Sequence, residues 1–518
     1  MFFRKYNHVI ILGANNYSIV GEHMEELLKK QKDIERNIES KYLEGNYTEE
    51  NPFIVLNPFE TCPLSALMKF KTKEECSVTM FIEDDIEKEF KELKKEHEIP
   101  ILGLMEDKEN CIRVICNYKD NNKKEVIHYI KTSKLSIEYP SIELIKCDES
   151  GIYDGMIAMS LGKSEAVKTI EHLYSIIDNK ARLRWLYTGV SCHVFMKLKN
   201  GNLIVDAPIS SGICGAYTAA GFIEIDMLGR IKNFFPIRFG LHHDVIELTN
   251  GNFLAITQRE NTKQDLLVEI DRKTKEVINE WDFRKILDFN RETVIDKISV
   301  NHPLDWLHLN SLVYDEESNC IIASSRNQST VVKFNKDTSE IKWILAPHYG
   351  WNNKLKKYLL NPIGDNFEFS YAQHTPSLTY NRNLVIFDNG NFRSYKLEDA
   401  VLAHNNYSRA VEYEIDEENM TVKQVWQYGK ERGNELYCAY LGAVRVLENN
   451  NRLICFGGIT KDIFGNPIDD MKSNRMKNQI TIIEIANDKV VFEIKIKDTD
   501  ITKPIGYKCY RAEKINLY

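Results

Sequence analysis

Apolar and polar positions alternate along this chain in short runs, and the runs come in pairs joined by asparagine-rich turns. In LHHDVIELTNGNFLAIT, residues 241–257, an alternating strand runs into Asn-Gly and a second apolar strand follows. That combination predicts a β-hairpin. The pattern recurs in SCHVFMKLKNGNLIVDA from Ser191, WLHLNSLVYDEESNCIIASS from Trp306, AQHTPSLTYNRNLVIFDN from Ala372 and YLGAVRVLENNNRLICFGG from Tyr440. After each hairpin comes a second strand–turn–strand signature: GFIEIDMLGRIKNFF, LLVEIDRKTKEVINEW, VVKFNKDTSEIKWIL, AVEYEIDEENMTVKQVW and TIIEIANDKVVFEIKI. Four short antiparallel strands recurring at a spacing of about 50–68 residues are the pattern of propeller blades.

A sixth unit is incomplete. DGMIAMSLG and YSIIDNKARLRWLY supply only its second to fourth strands, and the last twelve residues, YKCYRAEKINLY, offer the missing one. The expectation is an all-β fold: a six-bladed β-propeller closed by its C-terminal strand, which leaves no open edge. An array of β-sandwiches is the rival architecture.

Ahead of the repeats, residues 20–45 bring Met24, Leu27, Leu28, Ile34 and Ile38 close to one helical face. This predicts a helix that packs on its own chain or pairs two copies in a homodimer. Residues 51–148 read as short strands, interrupted by DDIEKEFKELKKEHEIP, which taken alone reads as helix. The expected division is a helical extension over 1–50, a β-sandwich domain over 51–148 and the propeller over 149–518, with the boundary near Cys147–Tyr153.

The chain of 518 residues is too long for one ordinary core. Its 43% hydrophobic and 28% charged residues are globular composition, and a net charge of −8 argues against nucleic acid as a partner. No apolar run approaches the ~18–20 residues of a membrane span, so no membrane partner is expected. The start of the chain offers only VIIL as an apolar block, too short for a signal-peptide core. A cytoplasmic location is expected, or export with a leader already removed. Eleven cysteines lie scattered without a C-x-x-C, which predicts free thiols.

Histidines fall in register across the hairpins. His193, His243 and His374 each lie nine residues before the turn asparagines Asn202, Asn252 and Asn383, and His308 lies eleven before Asn319 in a longer hairpin. The fifth hairpin has Gly442 in that slot. In a propeller the first strand of each blade lines the central channel, so four successive blades present a histidine to one channel mouth. Arg326 ends the second strand of the His308 hairpin and is either a cation for the same funnel or half of a surface ion pair. By strand alternation His242 points away from the channel or along its rim. Asp244 either orients a histidine or makes a turn contact.

Histidines and an arginine around a narrow cavity suit an anion. A neutral imidazole serves as nucleophile or base, and a protonated one stabilises developing negative charge. A histidine-bound metal is one rival, with the arginine arguing against it. A propeller that only binds small anions or a partner protein is the non-catalytic rival. Phosphate-loop and G-x-S-x-G motifs are absent from the sequence, and TCPLSALMK lacks the arginine of the C-x-P-x-R sulfatase motif.

GLHHDVIELTNGNFL, DWLHLNSLVYDEESNCIIASSRNQSTVVKFNKDTSEIKWILAPHYGW and QHTPSLTYNRNLVIFDNGNFR resemble the bacterial arylsulfate sulfotransferases, as do NPFETCPLSALMKFKTKEE and HEIPILGL. The resemblance runs from about Asn51 to the C-terminus. It implies a six-bladed propeller behind a small β-sandwich. It also implies transfer of a sulfuryl group from an aryl sulfate to a phenolic acceptor through a sulfo-histidine, without a nucleotide (PAPS) donor. The motifs carry His374 over as the nucleophile, with His308, Arg326 and His243 as its catalytic companions. Asn310 and His193 are expected to contact substrate, and Trp306 and Tyr371 to hold an aryl ring at the mouth. No metal or dissociable cofactor is implied. Family members with a disulfide near the site make Cys438 the nearest candidate here, and it is expected to be free.

Overall fold

The computed structural model describes residues 17–165, 168–189, 194–207, 219–259, 262–295, 305–469, 475–498 and 503–518. Tyr17–Leu43 is a single helix. Met24, Ile38 and Tyr42 are buried, and Leu27 and Ile34 pack half-buried against the same core. This three-to-four-residue spacing gives the helix one apolar stripe. Gln31 sits in the stripe and exchanges both amide groups with the backbone of Ile231, donating to its O (3.1 Å) and accepting from its N–H (2.7 Å). The helix thus docks on a blade of its own chain.

Phe53–Leu56, Ser65–Ile82, Ile86–Leu102, Glu109–Tyr118 and Lys123–Lys131 form one antiparallel sheet. Its spine is the long ribbon Ser65–Ile82/Ile86–Leu102, paired from Ile82↔Ile86 to Ser65↔Leu102. The charged stretch that reads as helix is itself a strand. Residues 91–96 of it are exposed, and its apolar ends Ile86, Ile99 and Ile101 are buried. Pairing with a neighbour along its length overrides a local helical preference.

Six sheets of four or five strands follow. Blade 2 starts at Phe195, blade 3 at Val245, blade 4 at Leu309, blade 5 at His374 and blade 6 at Ala443. Second strands such as Leu203–Asp206, Phe253–Thr257, Cys320–Ser325 and Leu384–Asp388 are buried throughout. This accounts for their unbroken apolar runs, because neighbouring blades cover both faces. Outer strands meet water, as in Val277–Asp282, where the first four residues are exposed. The ring closes where Ile505–Ile515 pairs antiparallel with Met156–Glu165 and becomes the innermost strand of blade 1. Ser141–Cys147, read from sequence as part of the sandwich domain, instead pairs with Lys489–Lys497 as the outermost strand of blade 6. The small β domain therefore ends before Ser141, ahead of the expected boundary.

The two repeated sequence signatures meet in one contact. The turn asparagines Asn202, Asn252, Asn383 and Asn451 donate from Nδ2 to Glu224 (2.7 Å), Glu269 (3.1 Å), Glu412 (2.8 Å) and Glu484 (2.7 Å), each on the third strand of its blade. Gly201 (φ +87°), Gly251 (φ +85°), Arg382 (φ +67°) and Asn450 (φ +66°) occupy the left-handed position of these turns, which favours glycine and asparagine. Blade 4 departs from the rule. Lys333 stands in the glutamate position and pairs with Asp315 at 2.9 Å.

Candidate functional site

The histidines lie at the opposite end of the inner strands from those turns. Each described slot opens with a backbone kink. His243 has φ +59°, and the N–H of Asp244 donates back to His242 O at 2.7 Å, a γ-turn centred on His243. His308 has φ +53°, Ala372 and Thr375 flank His374 at φ +52° and +46°, and Leu441 has φ +59°. Non-glycine residues in this region carry strain that the surroundings must hold in place. The kink at His243 breaks the alternation that would send His242 away. The two rings are 3.8 Å apart, and both approach His308, at 5.7 Å from His242 and 4.9 Å from His243. His242 belongs to the cluster, contrary to its strand-parity reading.

His374 lies 6.4 Å from the His243 ring and is 1% exposed. Burial first, then the positive charge of Arg326, pulls its pKa down to about 3, so its imidazole is neutral at ordinary pH. Its Nδ1 is 2.6 Å from Asn389 Oδ1. His308 is anchored differently: its Nδ1 faces both carboxylate oxygens of Asp305, at 3.0 and 3.1 Å. Desolvation is the largest influence on the Asp305 carboxyl and favours its neutral form, yet its interactions with His308, together with those of His242 and Lys263, hold it below its usual range. Arg326 follows from the same hairpin, its N–H donating to His308 O (3.0 Å). Its guanidinium donates to Asn327 Oδ1 (3.0 Å) and Ala439 O (3.3 Å). Among the described residues no acidic side chain takes up these contacts, which argues against the surface-pair reading. Burial lowers the pKa of Arg326, opposed by Asp305 and Tyr437.

The closing strand brings in a residue that the sequence reading missed. Tyr510 is 1% exposed, and its ring lies 5.5 Å from His243 and 6.1 Å from His374. Its hydroxyl donates to Asn310 O. The assignment of YKCYRAEKINLY as an inner strand was the available signal, since alternate residues of an inner strand face the channel. Asp244 does not orient a histidine. It pairs with Arg511 of the closing strand at 2.9 Å, both side chains buried, and accepts from the N–H of Leu312 at 3.0 Å. Blades 1, 3 and 4 are thereby tied together beneath the histidines.

The remaining candidates fare differently. His193 lies outside the described residues. Asn310 is fully buried and turned into the protein: Nδ2 donates to Gln373 O (2.7 Å) and Oδ1 accepts from Ser311 Oγ (3.1 Å), supporting the strand that begins with His374. Trp306 is fully buried in a blade core against Phe289, its indole donating to Asp265 at 3.4 Å, so it is no ring clamp at a mouth. Tyr371 is half-buried. The groups acting on its hydroxyl are Tyr395, Asp388, Arg393 and Arg291, and burial first pushes its pKa up to about 12. In the fifth slot a Cβ on Gly442 would stand 2.3 Å from the Phe387 ring, which leaves no room for a histidine. Cys438 is a buried free thiol. Among the described residues, no three His, Cys, Asp or Glu side chains are grouped to hold a metal ion.

The site can therefore surround an anion with imidazoles and a guanidinium, one imidazole being neutral and buried. Similarity to known proteins points the same way. The family model "Arylsulfotransferase (ASST)" matches residues 141–508, and "Arylsulfotransferase Ig-like domain" matches 53–134. Arylsulfate sulfotransferase AssT of Escherichia coli O6:H1 is 31% identical over 348 residues, 55% of this chain and 57% of that one. The protein of the same name from Lelliottia amnigena is 30% identical over the same shares. The chain spans little more than half the length of these curated relatives. The β-propeller domain of Myceliophteria thermophila Cps50 (Swd1) superposes loosely, with 10% identity and a TM-score of 0.35 over 71% of this chain and 99% of that one, a likeness too slight to bear on function. A match that takes in most of the propeller, behind a second match over the small β domain, means that the chain belongs to the arylsulfotransferase (ASST) family.

Proposed function

We propose that the protein moves a sulfuryl group from an aryl sulfate to a phenolic acceptor by way of a sulfo-histidine on His374. The observation that carries this reading is the meeting of His243, His308, His374 and Arg326 at one end of the channel, with His374 uncharged. In the first step the neutral imidazole attacks sulfur, an N–S bond forms, and the S–O bond to the aryl group breaks. The phenolate leaves with the electron pair. Arg326 and the flanking imidazoles bear on the sulfuryl oxygens and on the charge that develops on the leaving oxygen, the kind of preorganised stabilisation that is strongest in a water-poor site. His308, backed by the Asp305 carboxylate, is suited to give a proton to the leaving phenolate and to take one from the acceptor. The acceptor then attacks sulfur, the N–S bond breaks, and His374 returns neutral. No nucleotide donor enters the cycle.

A chromogenic phenyl sulfate with and without a second phenol tests the reaction. Colour that requires the acceptor supports transfer. Colour without acceptor marks a sulfatase, and no colour under either condition returns the propeller to anion or partner binding; both contradict the proposal.

A further inference from the structure

Resting on that reading, the surroundings of His374 assign a role to a residue outside the histidine ring. Asn389 follows directly on the second strand of blade 5 and is fully buried. Its Nδ2 donates to two backbone carbonyls from the entry to blade 6, Cys438 O at 3.0 Å and Leu441 O at 2.7 Å. Its Oδ1 is 2.6 Å from His374 Nδ1. A side-chain amide has one accepting oxygen and one donating nitrogen. Turned over, this one would aim its oxygen at two carbonyl oxygens and leave both unpaired. The two carbonyls therefore fix the amide, and the fixed amide offers His374 an acceptor only. In a neutral imidazole one nitrogen carries hydrogen and the other a lone pair. With Nδ1–H committed to Oδ1, the lone pair is on Nε2.

We propose that Asn389 is the positioning residue that sets the tautomer of His374, so that the sulfuryl group is accepted on Nε2. In that step the Nε2–S bond forms, the aryl S–O bond breaks with its electron pair leaving on the phenolate, and Nδ1 keeps its hydrogen. The resulting ring is cationic beside the sulfonate, which makes it a good leaving group when the acceptor attacks. An amide also suits this place better than a carboxylate. Asp305, on His308, supplies a negative charge that steadies an imidazolium. Asn389 orients without supplying charge, and the nucleophile stays neutral. The loop that fixes the amide belongs to the neighbouring blade, so the tautomer depends on how blades 5 and 6 meet.

The test is NMR of the whole protein with isotope-labelled histidine nitrogens, the His374 signals being assigned by their absence from His374→Gln. The wild type should hold hydrogen on Nδ1 and none on Nε2. Asn389→Ala should populate the other tautomer. Its single-turnover uptake of sulfuryl from donor should fall about 10–100-fold, as is typical when the partner that orients a working histidine is lost, with donor KM little changed. Asn389→Asp returns an accepting oxygen but sets a second one against the two carbonyls and adds a charge, so it should not restore the wild-type rate. A wild type with hydrogen on Nε2, or an Asn389→Ala protein that takes up sulfuryl at the wild-type rate, overturns the assignment. Should Asn389→Ala fail to fold, the wild-type tautomer decides alone. A wild type with hydrogen on Nδ1 that accepts no sulfuryl would sink the transfer reading and leave tautomer control by Asn389 standing.

Discussion

The two ends of the innermost strands differ in how they use the same repeat. At the turn end, Asn202, Asn252, Asn383 and Asn451 each reach a glutamate on the third strand of their own blade. The contact is copied nearly unchanged. At the channel end, equivalent slots hold histidines with unlike partners: a carboxylate for His308 and a fixed amide for His374. Stability tolerates copying, because every blade must bury the same strand edges. Chemistry requires the copies to diverge, because one imidazole must stay a neutral nucleophile while others manage charge and protons.

Substitutions at the channel end should change rate and spare the fold, and those at the turn end should do the reverse. Among the groups that support the nucleophile, the largest effect is expected at Arg326. Arg326→Lys keeps the charge and loses the planar fork. Transfer should slow by about 10²–10³, the usual loss for one oxyanion contact, with an unchanged melting curve. Near-normal turnover would remove Arg326 from the anion site.

Arg511 stands where the two regimes meet. Arg511→Leu leaves Asp244 buried without its cation, and breaking a buried pair from one side costs about 3–5 kcal/mol. Denaturant unfolding should register this loss, and the closing strand should become open to proteolysis. A variant as stable as the wild type would mean that the ring does not depend on this tie.

Acid separates the ends in another way. His374 titrates at about 3 when folded against 6.5 ordinarily, and His242 is also lowered, in both cases chiefly by burial. The unfolded chain takes up protons in that window that the folded chain refuses, so stability rises with pH across it and falls as pH drops from about 6.5 toward 3. The nucleophile itself stays neutral until the pH nears 3. Melting temperature should therefore decline below pH 6.5 while sulfuryl uptake by still-folded protein keeps no limb from His374 between pH 8 and 5. A limb in that range that moves when Asn389 is changed would contradict the neutral-nucleophile assignment.

The smallest effect is expected from one clasp. Asn383→Ala removes a donor to Glu412, which still has Arg452. A loss of about 1.5–3 kcal/mol, the range for a hydrogen bond to a charged group, should appear in unfolding with transfer unchanged. A rate defect here would mean that the two ends are coupled.

What could be read beforehand follows this same division. Hairpins, blade count and the shared slot of His243, His308 and His374 were legible because repetition makes a weak signal visible. The partners were not. Asp305 and Asn389 reach their histidines through loops whose path depends on left-handed residues and on the next blade, and a single sequence does not show which residue will adopt φ near +50°. His242 was misjudged for the same reason, by one γ-turn. Trp306, expected at the mouth, lies instead in the blade core. The strand at Ile86–Leu102 was hidden by charges that face water along an extended ribbon.

The central claim is that His374 carries the sulfuryl group. Donor without acceptor should add the mass of one sulfuryl group to the intact protein. Peptide mapping under mildly basic conditions should find it on His374, and added phenol should remove it. His374→Ala should fold and never take up the label, while His243→Ala and His308→Ala should take it up slowly. A label on another histidine would keep the two-step transfer and displace His374 from it. Transfer that proceeds with no labelled residue, and with sequential kinetics, would contradict the covalent mechanism itself.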